Sequence, residues 1–207
     1  HVPKYREVKR ERYLSNAELQ RLGQVLSDVE RNGSETSYII AAFRLLILTG
    51  CRLGEIQTLK WEYITDKGME LPDTKTGARR IPLPAAARAI LSALPRMTDN
   101  PYVIAGKLSG KHATDFQHPW RRIRTIAELD NVRIHDLRHT YASNAVSSGM
   151  PIQMVGRLLG HTQIQTTMRY AHLADDPVRQ AAEENAERLS NALKLPETDS
   201  VRLRAIS

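Results

Sequence analysis

The chain has 207 residues, 41% hydrophobic and 26% charged, the balance of a soluble globular protein able to bury roughly 70% of its unfolded surface. The 30 Lys and Arg outnumber the 23 Asp and Glu, leaving +7, and 22 of those cations are Arg, whose planar fork of donors matches phosphate oxygens. One cysteine, Cys51, excludes an internal disulfide framework and suits the cytoplasm; the longest apolar run, Tyr38 to Leu48, is broken by Arg44 and too short for a bilayer; and the basic start lacks the apolar core of a secretory signal.

In chain order, residues 1–12 carry five cations and two anions and read as a basic interdomain linker. Ser15 followed by Glu18 forms a capping box, and Leu19, Leu22, Leu26 and Val29 recur at helical spacing, which predicts a helix over 16–31. Residues 37–48 are apolar nearly all round and predict a buried helix stopped at Thr49-Gly50. A short helix follows over about 53–59. Segments 62–65, 69–72 and 79–83 then read as short strands, with turns at Asp66-Lys67-Gly68 and Asp73 to Gly77. Pro84 opens a helix to about residue 94, and 100–105 reads as irregular or a brief strand. Further helices are predicted over 114–128, 136–148, 151–158, 163–171 and 177–194, the last started by Asp176-Pro177 and striped by Val178, Ala181, Ala182, Leu189, Ala192 and Leu193. The expected fold class is α+β, mainly α, a helical body with a small three-stranded antiparallel sheet. Residues 13–173 form one domain in this reading, with a C-terminal helix and tail over 174–207. The tail carries net −2 and the middle +6, so a polyanion is expected on the middle and a protein partner on the tail.

Polar chemistry concentrates at four places. Thr49-Gly50-Cys51-Arg52-Leu53-Gly54-Glu55 puts an arginine after a glycine turn at a helix start, where backbone N–H groups favour an anion; taken alone, Arg52 with Glu55 equally suits simple helix stabilisation. Lys75 stands at the tip of the predicted hairpin, where most lysines merely solvate a turn. His135-Asp136-Leu137-Arg138-His139 places His135, Arg138 and His139 on one helical face. Such a face can bind two phosphate oxygens. Two histidines four apart also resemble a zinc-protease helix, but the fixed charge of Arg138 repels a dication and no third ligand follows. Finally, Gly160 leaves His161 at a helix junction with Tyr170 nine residues on; a phenol with a pKa of about 10 needs cationic neighbours and a base to act as a nucleophile.

Arg52, Lys75, His135-x-x-Arg138, Gly160-His161 and Tyr170, in that order, resemble the tyrosine recombinase (phage integrase) family, as do TGCRLGE around Arg52, HDLRHTYAS around Arg138, LLGH, and Thr167-x-x-Tyr170-x-His172. The similarity runs over about 13–173. It implies that Arg52 and Arg138 clamp one DNA phosphate, contacts of a kind worth about 10³–10⁵ in rate. His135 and His161 add hydrogen bonds, Tyr170 attacks phosphorus to leave a 3′-phosphotyrosine, Lys75 protonates the departing 5′-oxygen, and Glu55 and His139 support the site. No metal, other cofactor or ATP is implied. The implied partners are double-stranded DNA at attachment or core-type sites and, at full length, other protomers of a synaptic tetramer; no membrane is involved. The family places a core-binding domain before this one, so the chain is expected to be a catalytic-domain fragment of a bacterial or phage integrase. Its C-terminal helix docks either on a neighbouring protomer or as an intramolecular cap. Two other readings remain at this level: a type IB topoisomerase sharing the tyrosine chemistry, and a non-catalytic DNA-binding module of the same fold.

Overall fold

The computed structural model describes residues 12–72, 77–174 and 177–194. Helix α1, Asn16–Arg31, begins at the predicted capping box: the Glu18 N–H donates to the Ser15 hydroxyl and the Ser15 N–H to the Glu18 carboxylate. Helix α2, Ser37–Thr49, is buried over most of its circumference and stops at Gly50, whose φ of +63° is left-handed. A Cβ there would meet the Tyr141 ring at 2.5 Å, so only glycine fits the crossing. Arg44, the one charge in α2, escapes the core by pairing with Glu30 at 2.6 Å.

After the short α3, Leu53–Gln57, comes the predicted small sheet: β1 Ile64–Thr65, β2 Gly68–Leu71 and β3 Arg79–Ile81, antiparallel in that order. The strand bounds differ from the sequence reading, β2 lying one residue earlier than 69–72. Trp61–Tyr63 form a 3₁₀ turn rather than the start of a strand, with the Trp61 ring under the Arg96 guanidinium at 4.3 Å. The third strand ends at Ile81, because Pro82 has no N–H to offer the ladder. The register pairs Leu71 with Arg79 and Glu70 with Arg80. Period-two alternation therefore sends Arg79 inward, while Arg80 pairs with Glu70 across the exposed face at 3.1 Å.

Helix α4, Ala85–Ala93, packs on α2. Helix α5 is Gln117–Ile126 and starts three residues later than predicted, because the Asp115 carboxylate takes the His118 N–H and so caps the helix from outside. Helix α6, Ile134–Ser147, packs on α2 and starts two residues earlier than predicted, capped by the Asp136 carboxylate on the Arg133 N–H. The main core centres on Phe43, whose ring meets Phe116 edge-on at 6.3 Å and Trp120 at 5.1 Å, while the Trp120 indole N–H donates to the Val132 carbonyl.

A second, smaller apolar cluster gathers Ala142, Ala145 and Val146 of α6, Val155 and Leu159 of α7 (Ile152–Leu159), and Tyr170. The helix predicted over 163–171 is in fact α8, Gln165–Met168, followed by a 3₁₀ turn at Ala171–Leu173. Tyr170 occupies the break, its N–H already bonded in the tighter i to i−3 pattern to Thr167. Helix α9, Pro177–Ala192, closes the described chain, with Leu189 and Leu193 exposed rather than packed on the body. Lys75, Asp176, the linker up to residue 11 and the tail beyond Lys194 lie outside the described residues.

Candidate active site

Two helix ends and one strand face meet at one place: the Gly50 turn after α2, the Gly160 turn after α7, and the inward face of β3. Arg52 precedes α3. Its backbone N–H donates to Glu55 Oε2 at 2.8 Å and its guanidinium to Glu55 Oε1 at 3.0 Å, so one carboxylate both starts the helix and aims the side chain. Arg138, on α6, is only 5% exposed. Its two terminal nitrogens donate to the carbonyls of Gly50 and Leu159, each at 2.6 Å. Helix ends leave their last carbonyls without intrahelical partners, and here the orphans of α2 and α7 fix a buried guanidinium. Burial, then the fields of Arg52 and Arg79, pull the Arg138 pKa down to about 10, still charged at neutral pH.

Arg79 was not singled out from the sequence. It donates to Glu55 Oε1 at 3.2 Å, to the Leu159 carbonyl at 2.7 Å and to the Leu158 carbonyl at 2.9 Å. Arg52 and Arg79 thus share Glu55, and Arg79 and Arg138 share Leu159. The chain of contacts ties α3, β3, α6 and α7 into one polar frame. The only sequence signal was an adjacent Arg pair in a strand, which alternation splits into one inward and one outward side chain without saying which.

The histidines fall into two groups. His161 follows Gly160, and its Nδ1 meets the buried Thr167 hydroxyl at 2.8 Å. In the tautomer where Thr167 donates, the ring proton sits on Nε2, available to an oxyanion. Burial first, then Arg138 and Arg52, hold His161 down to about 4. His135 is also lowered, by burial and then by Arg138. It lines a cavity of about 280 Å³ with Arg124, Arg133, Arg138, Trp120 and Leu53. His135 meets His139 edge-on at 4.9 Å, and the Nδ1 of His139 is hydrogen-bonded to the Tyr170 hydroxyl.

Arg52 and Arg138 therefore lie close enough to His135 and His161 to lower both imidazoles. Glu55 anchors the first of them, and Tyr170 joins the group through His139. The arrangement is cationic, rich in donors and half-enclosed, suited to an anion with several oxygens. Among the described residues no three His, Cys, Asp or Glu side chains gather as a metal would need, and no helix is long and apolar enough to cross a membrane.

The profile described as "Phage integrase family" matches residues 12–176. The chain is 30% identical over 168 residues to a shufflon-specific DNA recombinase of Escherichia coli, covering 79% of this chain and 41% of that protein. It is 30% identical over 152 residues to the tyrosine recombinase XerA of Pyrococcus furiosus, covering 68% and 53%. It thus spans about half the length of these curated relatives. Among solved structures, the catalytic domain of bacteriophage HP1 integrase superposes with a TM-score of 0.66 at 23% identity, covering 91% of this chain and all of that one. XerH recombinase bound to its difH substrate superposes at 0.65 and 20% identity, covering 86% and 55%. The mainly helical fold with its three-stranded antiparallel sheet is the fold of these enzymes.

Proposed function

The chain belongs to the Phage integrase family, and on that premise we propose that it is a site-specific recombinase that cuts and rejoins double-stranded DNA through a covalent tyrosine intermediate. The observation that carries this reading is the frame in which Glu55 holds Arg52 while the carbonyls of Gly50 and Leu159 hold Arg138. Two guanidiniums fixed before substrate arrives need little reorganisation as charge builds on phosphorus.

In this reading Arg52 and Arg138 bind the non-bridging oxygens of one phosphate, and His135 and His161 donate to the same group. Tyr170 attacks phosphorus and remains as a 3′-phosphotyrosine. Lys75 protonates the leaving 5′-oxygen; this role comes from the family pattern, since the residue lies outside the described chain. The new linkage has about the free energy of the one it replaces, so a 5′-hydroxyl reseals it without ATP. The two arginines supply the cationic charge that a metal ion supplies elsewhere.

Residues 13–173 serve as the catalytic domain in this proposal. The acidic helix α9, with Leu189 and Leu193 exposed, is available to a neighbouring protomer of a DNA-bound assembly; XerH was solved on its DNA substrate. A cytoplasmic setting suits the one buried thiol. The topoisomerase reading is not favoured, because the relatives are recombinases and integrases.

The test is a pool of randomised duplexes, each nicked so that cleavage releases a short strand and traps the enzyme. Covalent adduct is expected from the wild type with EDTA present, at least about 10³-fold less from Arg138→Gln, and none from Tyr170→Phe. A wild type that traps nothing, or adduct that persists in Tyr170→Phe, overturns the reading.

A further inference from the structure

We propose that His139 takes the phenolic proton of Tyr170 as that oxygen attacks phosphorus. The inference rests on the reading of Tyr170 as nucleophile and adds the base that this reading lacks. Its ground is geometric. The Tyr170 phenol is 6% exposed, and its hydroxyl is hydrogen-bonded to His139 Nδ1, with the two rings 5.9 Å apart. Bulk water has poor access to that proton, whereas the imidazole already lies along its path.

The neighbours leave few rivals. The small cavity beside the phenol is lined by Arg12, Tyr13, His139, Arg169, His172 and Leu173. Arginine and tyrosine accept no proton near neutrality. That leaves His172, in the turn after Tyr170. The nearest carboxylate on α6, Asp136, is fully buried and engaged by the backbone and guanidinium of Arg133.

The electrostatics fit an acceptor whose basicity depends on substrate. Burial and then His135 hold the His139 imidazole down to about 4, against an opposing pull from Asp136 and with lesser help from Arg169 and Arg133. At neutral pH the ring is therefore uncharged, with a lone pair for the phenol. So low a pKa makes a weak base on its own. An anionic phosphate seated beside His135 and Arg138 favours the charged form of the imidazole and so raises the proton affinity of the ring when it is needed.

The step balances. Tyr170 Oη passes its proton to His139 Nδ1, and the electron pair so released forms the O–P bond. The P–O5′ bond breaks with its pair on O5′, which takes a proton from the general acid assigned to Lys75. On rejoining, His139 Nδ1–H returns its proton to the phenolate that departs.

His139→Gln tests this, because glutamine retains an acceptor for the phenol hydrogen bond while offering almost no basicity. Single-turnover cleavage of a duplex recovered from the adduct pool should fall roughly 10²-fold near pH 7. The deficit should close as pH rises toward the alkaline range in which a phenol ionises without a base. A 5′-bridging phosphorothiolate, whose leaving thiolate needs no proton, should rescue Lys75→Ala but not His139→Gln. His172→Gln should keep the wild-type profile. If the glutamine variant melts early, His139→Asn serves in its place under the same criteria. A wild-type rate and pH profile in His139→Gln, an equal loss at every pH, rescue by the phosphorothiolate, or a pH-dependent loss in His172→Gln instead would each overturn the proposal. Adduct in Tyr170→Phe would sink the nucleophile assignment itself, an outcome separate from all of these.

Discussion

Arg79 and Arg138 donate to the same oxygen, the Leu159 carbonyl, at 2.7 and 2.6 Å. Two like charges converge on one acceptor because α7 ends there in a left-handed glycine, which leaves its last carbonyls turned outward. Arg79 also reaches Glu55, the carboxylate that aims Arg52. The two arginines proposed to bind phosphate are thus linked through a third that need not touch substrate.

The Glu55–Arg79 pair is 7% and 9% exposed at the side chains, so removing Arg79 leaves Glu55 to Arg52 alone and takes from the Leu158 carbonyl the guanidinium donor it has there. Arg79→Ala is expected to destabilise the protein by about 1–3 kcal/mol, read by thermal or urea unfolding. Arg79→Lys retains the charge but not the fork, since one ammonium has no geometry to serve Glu55 and two carbonyls together. Lysine is expected to recover part of the stability while adduct formation stays at least about tenfold down. An alanine variant that melts and cleaves like the wild type would refute the linkage.

Gly160→Ala should act at the same joint from the other side. The residue has φ +66°, and an added Cβ would lie 2.4 Å from the Arg79 guanidinium. Left-handed strain alone costs about 1–3 kcal/mol, which for a chain of this size lowers Tm by roughly 2–4 °C per kcal/mol. Because His161 is the next residue, cleavage should fall further than the stability loss explains. Activity at 10 °C, where the variant remains folded, separates the two effects. Full activity there would show that the position of His161 does not depend on this turn.

The parts of this architecture legible in the sequence are those where local chemistry and tertiary packing agree. The Ser15–Glu18 capping box and the all-round apolarity of 37–48 dictate α1 and α2 almost to the residue. The Gly50 and Gly160 stops are legible because left-handed backbone selects glycine. Arg52, Glu55, Arg138 and His161 stand out through their contexts, and they converge. Arg79 was hidden because a buried arginine runs against the usual partition of charge, and its three partners lie 24, 79 and 80 residues away. The break at Tyr170 was hidden for a related reason. Local spacing favours one continuous helix, but Thr167 is held by His161 and Tyr170 by His139, and these distant contacts override propensity.

Cys51, one residue before Arg52, should be chemically silent in the folded protein. It is 1% exposed, and burial pushes its thiol up to about 11 despite a bond from Thr49 and the nearby Arg79 and Arg138. Thiolate is the reactive form. Labelling by a disulfide reagent near pH 8 is therefore expected to proceed only through opening of the core, at a rate that rises with urea along with global unfolding. Fast stoichiometric labelling in native buffer would contradict the buried setting of the Gly50 turn.

The depressed histidines give two pH responses of opposite sign. In the free protein His139 and His161 hold their protons only below about 4, whereas the unfolded chain takes them up near 6.5. Between those values the unfolded state binds more protons, so stability is full above about 6.5 and falls as pH drops toward 4. In the proposed DNA complex the sign reverses at the same side chains. A phosphate beside Arg52 and Arg138 raises the histidine pKa values, so binding takes up protons and affinity should increase as pH falls from about 7 to 5. Scanning fluorimetry of the free protein and fluorescence anisotropy on a duplex at constant ionic strength check the pair. His161→Gln should flatten both slopes, and its acceptor oxygen still meets the Thr167 hydroxyl. Affinity that weakens toward acid would mean that these imidazoles do not face the phosphate, whatever the arginines do.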